Sequence, residues 1–382
     1  MDKKVLYISD LSFMGSGYLY LSLPICSGLA ELGYDVKAVG IGNDGSEHPY
    51  PFSIIPAKDV KSAFAIARNM HFLDWKPDVI IIALDIPLQH FFLEKLADIP
   101  IPKILITPLE NGPLTMSWAA PLMSADAVYF ISELGASEAR KSGIVDAQHI
   151  QIGTDLERWP VPTEETKTRI RKSMDLEGKF VILTVADNQE RKNLWAALDI
   201  VSKVKKLGVD NLKFVLVTRE HSPVGNKIMD LAIQMDIVNE LTVIERGVSH
   251  AILYSFYAAA DLFLLTSKAE GLGLPLLEAM SCGLPVMATN TGAVTELMGE
   301  DRGTPIDPEY EFVDVWGNSK RSMIDREAAA QIIYDDIQYP AQIKKMAENA
   351  LHYVKSLTWD IPVQQLHKKI EELTNEQKET QE

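Results

Sequence analysis

Residues 262–289 read LFLLTSKAEGLGLPLLEAMSCGLPVMAT. Leu262–Ser267 is a short apolar run of strand length, and it ends in a loop carrying Gly271 and Gly273. Pro275 pre-sets the first turn of a helix. Gly283 and Pro285 stop that helix, and Val286–Thr289 is apolar and strand-like again. Apolar strand, helix, apolar strand is the pattern of a parallel sheet covered on both faces.

The same alternation extends in both directions. Phe180–Asp187, Phe214–Thr218 and Leu241–Arg246 precede the quoted stretch as short Val- and Ile-rich runs with helical spacing between them. Val5–Asp10, Asp35–Gly42, Asp78–Asp85, Lys103–Pro108 and Ala127–Ser132 repeat the theme in the N-terminal half, with helices expected over Ala57–Leu73 and Leu134–Gly143. Two successive doubly wound α/β domains follow. The break falls at Gly153-Thr154-Asp155, where a glycine can hinge, ahead of Trp159-Pro160-Val161-Pro162, where two prolines stop regular structure. Residues 1–154 are expected to form one Rossmann-like domain and 155–357 a second. Residues 358–382 are read as a last helix with a polar, frayed tail from Thr374. Open parallel sheets bind ligands at the carboxyl ends of their strands, so the expected site is a central cleft that the two domains face.

Composition removes several classes of function. With 47% hydrophobic and 24% charged residues, the 382-residue chain is neither disordered nor a disulfide scaffold. No apolar run approaches the ~20 residues that span a bilayer, and the N-terminus lacks the apolar core of a signal peptide. A net charge of −16 argues against coating nucleic acid or docking on anionic lipid. Cys26 and Cys282 lie in apolar contexts and read as reduced core thiols of a cytoplasmic protein.

Three post-strand loops carry the chemistry. Ser9–Gly17 follows the first strand, and its Gly15 and Gly17 let the backbone approach a ligand or simply turn. It is no dinucleotide fingerprint, because the G-x-G-x-x-G pattern ends at Tyr20. Asp187–Asn193 sets Arg191 and Lys192 at a helix start, against the helix dipole. Either they meet an anion such as a diphosphate or they form a solvated basic pair. In the quoted stretch the N–H groups of Gly271, Leu272, Gly273 and Leu274 can point at a diphosphate, and Glu270 and Glu278 can accept from ligand hydroxyls. Spacing alone proves little: among 27 glutamates three pairs stand eight apart, and only Glu270/Glu278 brackets a strand–loop–helix junction. Asp335-Asp336 is read as a solvated helix face, so no metal motif is assigned.

This stretch closely resembles the E-x7-E signature of retaining GT-B glycosyltransferases, family 4. The likeness runs through Ala125–Val128, His149–Gly153, Asp155, Ala260–Phe263, Thr289–Glu296 and Trp359-Asp360. It implies a GT-B fold whose C-terminal helix crosses back to the first domain. It also implies metal-independent transfer of a sugar, with retention, from a UDP- or GDP-sugar, without a further cofactor. By matched position Glu278 would hold the ribose, and Glu270 with Gly271–Leu274 would contact the donor sugar and diphosphate. Lys192 would bind phosphate, Val243–Val248, including Arg246 and Val248, would lie against the base, and Gly15 and Gly17 would close over the diphosphate. Front-face attack by the acceptor is expected. The chain departs from the family twice: Asp187 stands where an Arg is frequent, with Arg191 a candidate replacement, and Glu110 or Asn111 takes a slot commonly held by His. Glu110, Glu270 and Lys192 are the catalytic candidates. A silent GT-B binding or scaffold protein and a sugar transferase for modified DNA bases are the alternatives. The acceptor, whether a glycan, lipid-linked sugar, protein or small molecule, is unnamed by the sequence; Asn43–Phe52 and Leu114–Pro121 are its expected loops. Pro308–Ser322 is read as an inserted surface loop.

Overall fold

The computed structural model describes residues 3–13, 16–70, 75–315 and 317–379. They form two compact units. One comprises the chain up to Gly153, residues 317–319 and the chain from Leu357; the other comprises Thr154–Val315 and Lys320–Ser356.

In the first unit the apolar runs become β1 (Lys4–Asp10), β2 (Asp35–Ile41), β3 (Ser53–Ala57), β4 (Val79–Ala83), β5 (Lys103–Thr107), β6 (Ala127–Phe130) and β7 (Gln148–His149). Helices α1 (Gly17–Glu31), α2 (Val60–Met70), α3 (Ile86–Lys95), α4 (Met116–Leu122) and α5 (Glu133–Lys141) connect them. The sheet is parallel throughout, in the order β3-β2-β1-β4-β5-β6-β7. Every residue of β4 and β5 is buried, as strands covered on both faces require. The helix expected from Ala57 starts only at Val60, because Ala57 closes the edge strand β3. Pro56 inside that strand is tolerated at an edge and hides it from a propensity reading. Leu73, the expected end of that helix, lies outside the described residues.

The second unit opens with α6 (Glu164–Ser173), capped by Thr163, whose hydroxyl accepts from Thr166 N. The strands are β8 (Phe180–Val185), β9 (Leu212–Thr218), β10 (Leu241–Glu245), β11 (Leu262–Leu265), β12 (Val286–Thr289) and β13 (Thr304–Ile306). Helices α7 (Leu194–Lys206), α8 (Ile228–Gln234), α9 (His250–Ala259), α10 (Leu274–Ser281) and α11 (Val294–Met298) alternate with them. The parallel order is β10-β9-β8-β11-β12-β13. The segment read as a surface loop is instead an antiparallel hairpin of β14 (Pro308–Val313) and β15 (Lys320–Ile324). Its signal was the alternation of Glu309 and Glu311 with Tyr310 and Phe312. The hairpin is tied to the loop ahead of Glu270: Ser322 N donates to Lys268 O at 2.8 Å, and the Ser322 and Thr291 hydroxyls meet at 2.9 Å. Helices α12 (Arg326–Gln338) and α13 (Ala341–Val354) complete this unit.

Helix α14 (Asp360–Glu379) belongs to the first unit. It continues helically to Glu379, beyond the Thr374 where fraying was expected. Glycines admit it: a Cβ on Gly28 of α1 would lie 2.6 Å from Val363, and one on Gly153 would lie 2.6 Å from the Trp359 ring. Gly153, read as a hinge, is therefore a point of close packing. Tyr34 meets His367 Nδ1 at 2.7 Å and donates to Glu371 at 3.0 Å, which fixes the rotation of α14.

Candidate active site

The carboxyl ends of the second sheet carry most of the residues singled out by the sequence. After β8 the chain makes a short 3-10 turn over Glu190–Lys192, and Asn193 enters the left-handed region at φ 52° before α7. This turn is laced to the loop after β11. Lys268 N donates to Arg191 O at 2.8 Å, Arg191 Nη1 donates to Ala269 O at 2.7 Å, and Lys268 pairs with Glu190. The lacing brings Arg191 and Lys192 onto one buried carboxylate. Lys192 Nζ stands 2.5 Å from Glu270 Oε1 and Arg191 Nη1 stands 3.0 Å from Oε2, while Ser267 Oγ donates to Oε1 at 2.6 Å. Glu270 is only 6% exposed. Burial alone would raise its pKa, but the charges of Lys192 and Arg191 override it and hold the carboxyl at about 2. The solvated-pair alternative for Arg191 and Lys192 does not hold, because both are part-buried partners of this carboxylate.

Gly273 adopts φ 94°, a conformation that favours glycine. It lets the loop reverse into α10, whose first turn takes Pro275. The backbone of Gly271–Leu274 thus stands at the helix N-terminus beside Glu270, where free N–H groups and the helix dipole favour an anion. Glu278 lies one turn further along. It accepts from Tyr257 Oη at 2.6 Å. Burial pushes its carboxyl up to about 7, against the lowering effects of Tyr257 and Arg158. Tyr257 is itself held by rings: Trp159 packs edge-on at 5.1 Å and Phe263 stacks at 5.8 Å. Trp159, just before the two prolines that stop regular structure, is a buried core side chain.

Arg246 and Val248 follow β10, and Gly247 between them turns at φ 90°. Arg246 Nη1 lies 3.2 Å from Asp187 Oδ1. The same carboxylate accepts from Arg219 at 2.7 Å through Nε and 2.5 Å through Nη2. Asp187 therefore gathers two guanidinium groups at the place where the sequence suggested that positive charge had been lost.

Gly17 and Glu110 lie in the first unit. Gly17 begins α1, behind Ser16, whose hydroxyl accepts from Tyr18 N at 3.2 Å. Glu110 follows β5 and bears electrostatically on Tyr18, whose hydroxyl donates to Asp85 at 2.6 Å. Gly15 lies outside the described residues. Asp336 is half-buried, and burial beside Asp335 raises its carboxyl to about 6, so that pair is not a wholly solvated face. Among the described residues, no group of three or more His, Cys, Asp or Glu side chains stands where it could hold a metal ion.

Sequence reasoning missed Arg219 and Tyr257. Arg219 directly follows an apolar strand, as Arg246 does, which was a usable signal. Tyr257 sits in an apolar helix, and nothing in its own neighbourhood announces a polar role.

Comparison with known proteins places these loops in a known fold. The chain has the GT-B fold: it superimposes on Anabaena HepE, solved in complex with UDP and glucose, with a TM-score of 0.73 at 16% identity, over 97% of this chain and 100% of that one. Residues 166–316 match the model of the family described as Glycosyl transferases group 1. Bacillus subtilis TuaC, named as a glycosyltransferase of teichuronic acid biosynthesis, is 24% identical over 62% of this chain and 57% of its own. The GDP-mannose-dependent alpha-(1-6)-phosphatidylinositol monomannoside mannosyltransferase of Mycolicibacterium smegmatis is 25% identical over 48% of this chain and 49% of its own. The chain thus spans about half the length of these curated relatives. Among the described residues no helix is long and apolar enough to cross a membrane.

Proposed function

We propose that the protein is a retaining, metal-independent glycosyltransferase that moves a sugar from a UDP- or GDP-sugar to a hydroxylated acceptor in the cytoplasm. The observation that carries the reading is the convergence of Arg191, Lys192 and the Gly271–Leu274 backbone around Glu270, one helical turn from Glu278. A departing nucleoside diphosphate develops negative charge on the bridging oxygen, and fixed donors aimed at that charge are usually the largest catalytic contribution. Lys192 and Arg191 would supply them when the diphosphate competes with Glu270 for their N–H groups. Glu270 would then accept from donor-sugar hydroxyls. Glu278, oriented by Tyr257, would accept from the ribose, and the chain around Arg246 and Val248 would lie against the base. The acceptor would attack the face the diphosphate leaves, giving its proton to the departing phosphate, which accounts for retention without a covalent intermediate. Glu110 is assigned to a donor or acceptor hydroxyl. The mannosyl relative that uses GDP-mannose and the UDP-bound structural neighbour support a nucleotide-sugar donor and leave both bases open.

The test is a titration of purified protein with UDP- and GDP-sugars, following heat of binding and release of nucleoside diphosphate. Binding with slow release, abolished in Glu278→Ala, supports the reading. A broad donor series with neither binding nor turnover rejects it. Binding without any transfer favours the silent scaffold instead.

A further inference from the structure

Beyond the cations already assigned to the diphosphate, the second sheet carries a separate positively charged row. In register, Val185 of β8 lies beside Val217 of β9, and Thr218 of β9 lies beside Glu245 of β10. Past the strand ends the pairing persists, with Ala186 N donating to Val217 O and Arg246 N donating to Thr218 O. One step further, Asp187, Arg219 and Arg246 stand side by side in one row, and neighbours in a row of a parallel sheet project to the same face. Two guanidinium groups so placed repel each other. The Asp187 carboxylate, at one end of the row, offsets that repulsion: it is forked onto Arg219 through both oxygens and lies 3.2 Å from Arg246. Asp187 is tied down in turn: Gln189 Nε2 donates to its Oδ2 at 2.9 Å, and the next residue, Asn188, is fully buried and clamps Asn226 through two hydrogen bonds. Gly225 permits that clamp, since a Cβ there would lie 2.3 Å from Asn188 O. Arg219 nevertheless keeps 40% of its side chain in solvent.

The guanidinium donors give the row a use. Arg191 and Lys192 share Glu270, which leaves one net positive charge on that cluster. A nucleotide-sugar diphosphate brings one negative charge on each phosphoryl group. Arg219 and Arg246 hold Asp187 at the exit of strands of the same sheet, with Glu245 also bearing on Arg219, and the half-exposed Arg219 guanidinium faces solvent beside the loop that carries Arg191 and Lys192.

We propose that Arg219 and Arg246 form a second anion-binding element that engages the nucleoside diphosphate, with Asp187 as the residue that positions them. The inference rests on the glycosyltransferase reading and deepens it by naming where the remaining diphosphate charge is met. Burial works against ionisation of Asp187, but its two arginine partners hold the carboxyl below its usual range.

Calorimetric titration with UDP and GDP, and in parallel with uridine and guanosine, tests this on the wild type and on Arg219→Ala, Arg246→Ala, Arg219→Lys and Asp187→Asn. Arg219→Ala and Arg246→Ala are each expected to weaken diphosphate binding by about tenfold, the scale of one charge-assisted hydrogen bond, and Arg219→Ala, which lies away from the residues assigned to the base, to leave nucleoside binding unchanged. Arg219→Lys keeps the charge but loses the fork, so an intermediate loss is expected. Asp187→Asn adds net positive charge yet is expected to bind UDP and GDP more weakly, because the arginines lose their shared anchor. Tighter binding by Asp187→Asn overturns the positioning role. Unchanged diphosphate affinity in both alanine variants, with the wild type binding normally, overturns the inference and leaves the proposed function standing. Failure of the wild type to bind either diphosphate removes the function reading itself.

Discussion

Glu270 and Glu278 flank one loop–helix junction, and folding drives their carboxyls in opposite directions, to about 2 and to about 7. Both lose water. Glu270 gains two cations and a serine hydroxyl, whereas Glu278 gains one tyrosine hydroxyl within a wall of aromatic rings. Burial alone therefore decides nothing about the charge of a carboxylate; the neighbours decide it. The contrast suits the proposed division of labour. In that proposal the Glu270 cluster, with its two cations, would handle phosphate, and Glu278 would be the weakly committed acceptor for hydroxyls.

Removing Lys192 should break the contrast most severely. Lys192→Met leaves Glu270 buried with Arg191 as its remaining cation, and a loss of about 2 to 3 kcal/mol in unfolding free energy is expected, together with a fall of about 100-fold or more in transfer rate. Denaturant titration and a turnover assay measure the two effects. An unchanged unfolding midpoint would contradict the ion-pair account of Glu270.

Substituting Glu278 should sharpen it. A carboxyl raised from 4.5 to about 7 on folding binds more protons in the folded chain than in the unfolded one between those values. Its contribution to stability is therefore fully present below pH 4.5 and lost as pH rises through 7. Glu278→Gln should melt above the wild type at pH 8 and match it more closely at pH 5. Wild-type affinity for UDP or GDP should rise by about tenfold from pH 6 to pH 8 as the acceptor ionises, and the Gln variant should give a flat profile. Glu270 has the reverse sign: its stabilisation is present above pH 4.5 and lost as pH falls toward 2, so it contributes to acid unfolding.

Tyr257→Phe is a smaller change. It removes the donor that favours the ionised form of Glu278 and should move the affinity profile to higher pH, costing about 1 kcal/mol in diphosphate binding at pH 7. A profile that keeps its midpoint would mean that Tyr257 does not orient the carboxylate. The smallest effect is expected from Ser267→Ala. Glu270 keeps both cations, so stability should fall by about 1 kcal/mol and the acid-unfolding midpoint should move up only slightly.

Much of the fold was legible because the strands are buried on both faces and read as unbroken runs of Val, Ile and Leu. Short edge strands such as β7 and β13 carry too few residues to show a period, and β14–β15 was hidden by its charged residues. At the site, the loop with Gly271 and Gly273 was legible from its place between an apolar strand and Pro275. The partners of Asp187 were not, because Arg219 follows the neighbouring strand β9 and Arg246 follows β10 beyond it, 32 and 59 positions away in the chain.

The sequence by itself determined the alternation of strand and helix, the two domains and the Gly-rich loop with its two glutamates, because these depend on local apolar periodicity and on backbone preferences of Gly and Pro. Only the tertiary structure decided which carboxylate is charged, which cations it holds and which arginines stand in one row. Those are matters of strand register and of distances of a few ångströms between residues far apart in the chain, and electrostatic energy in a buried setting depends on such distances.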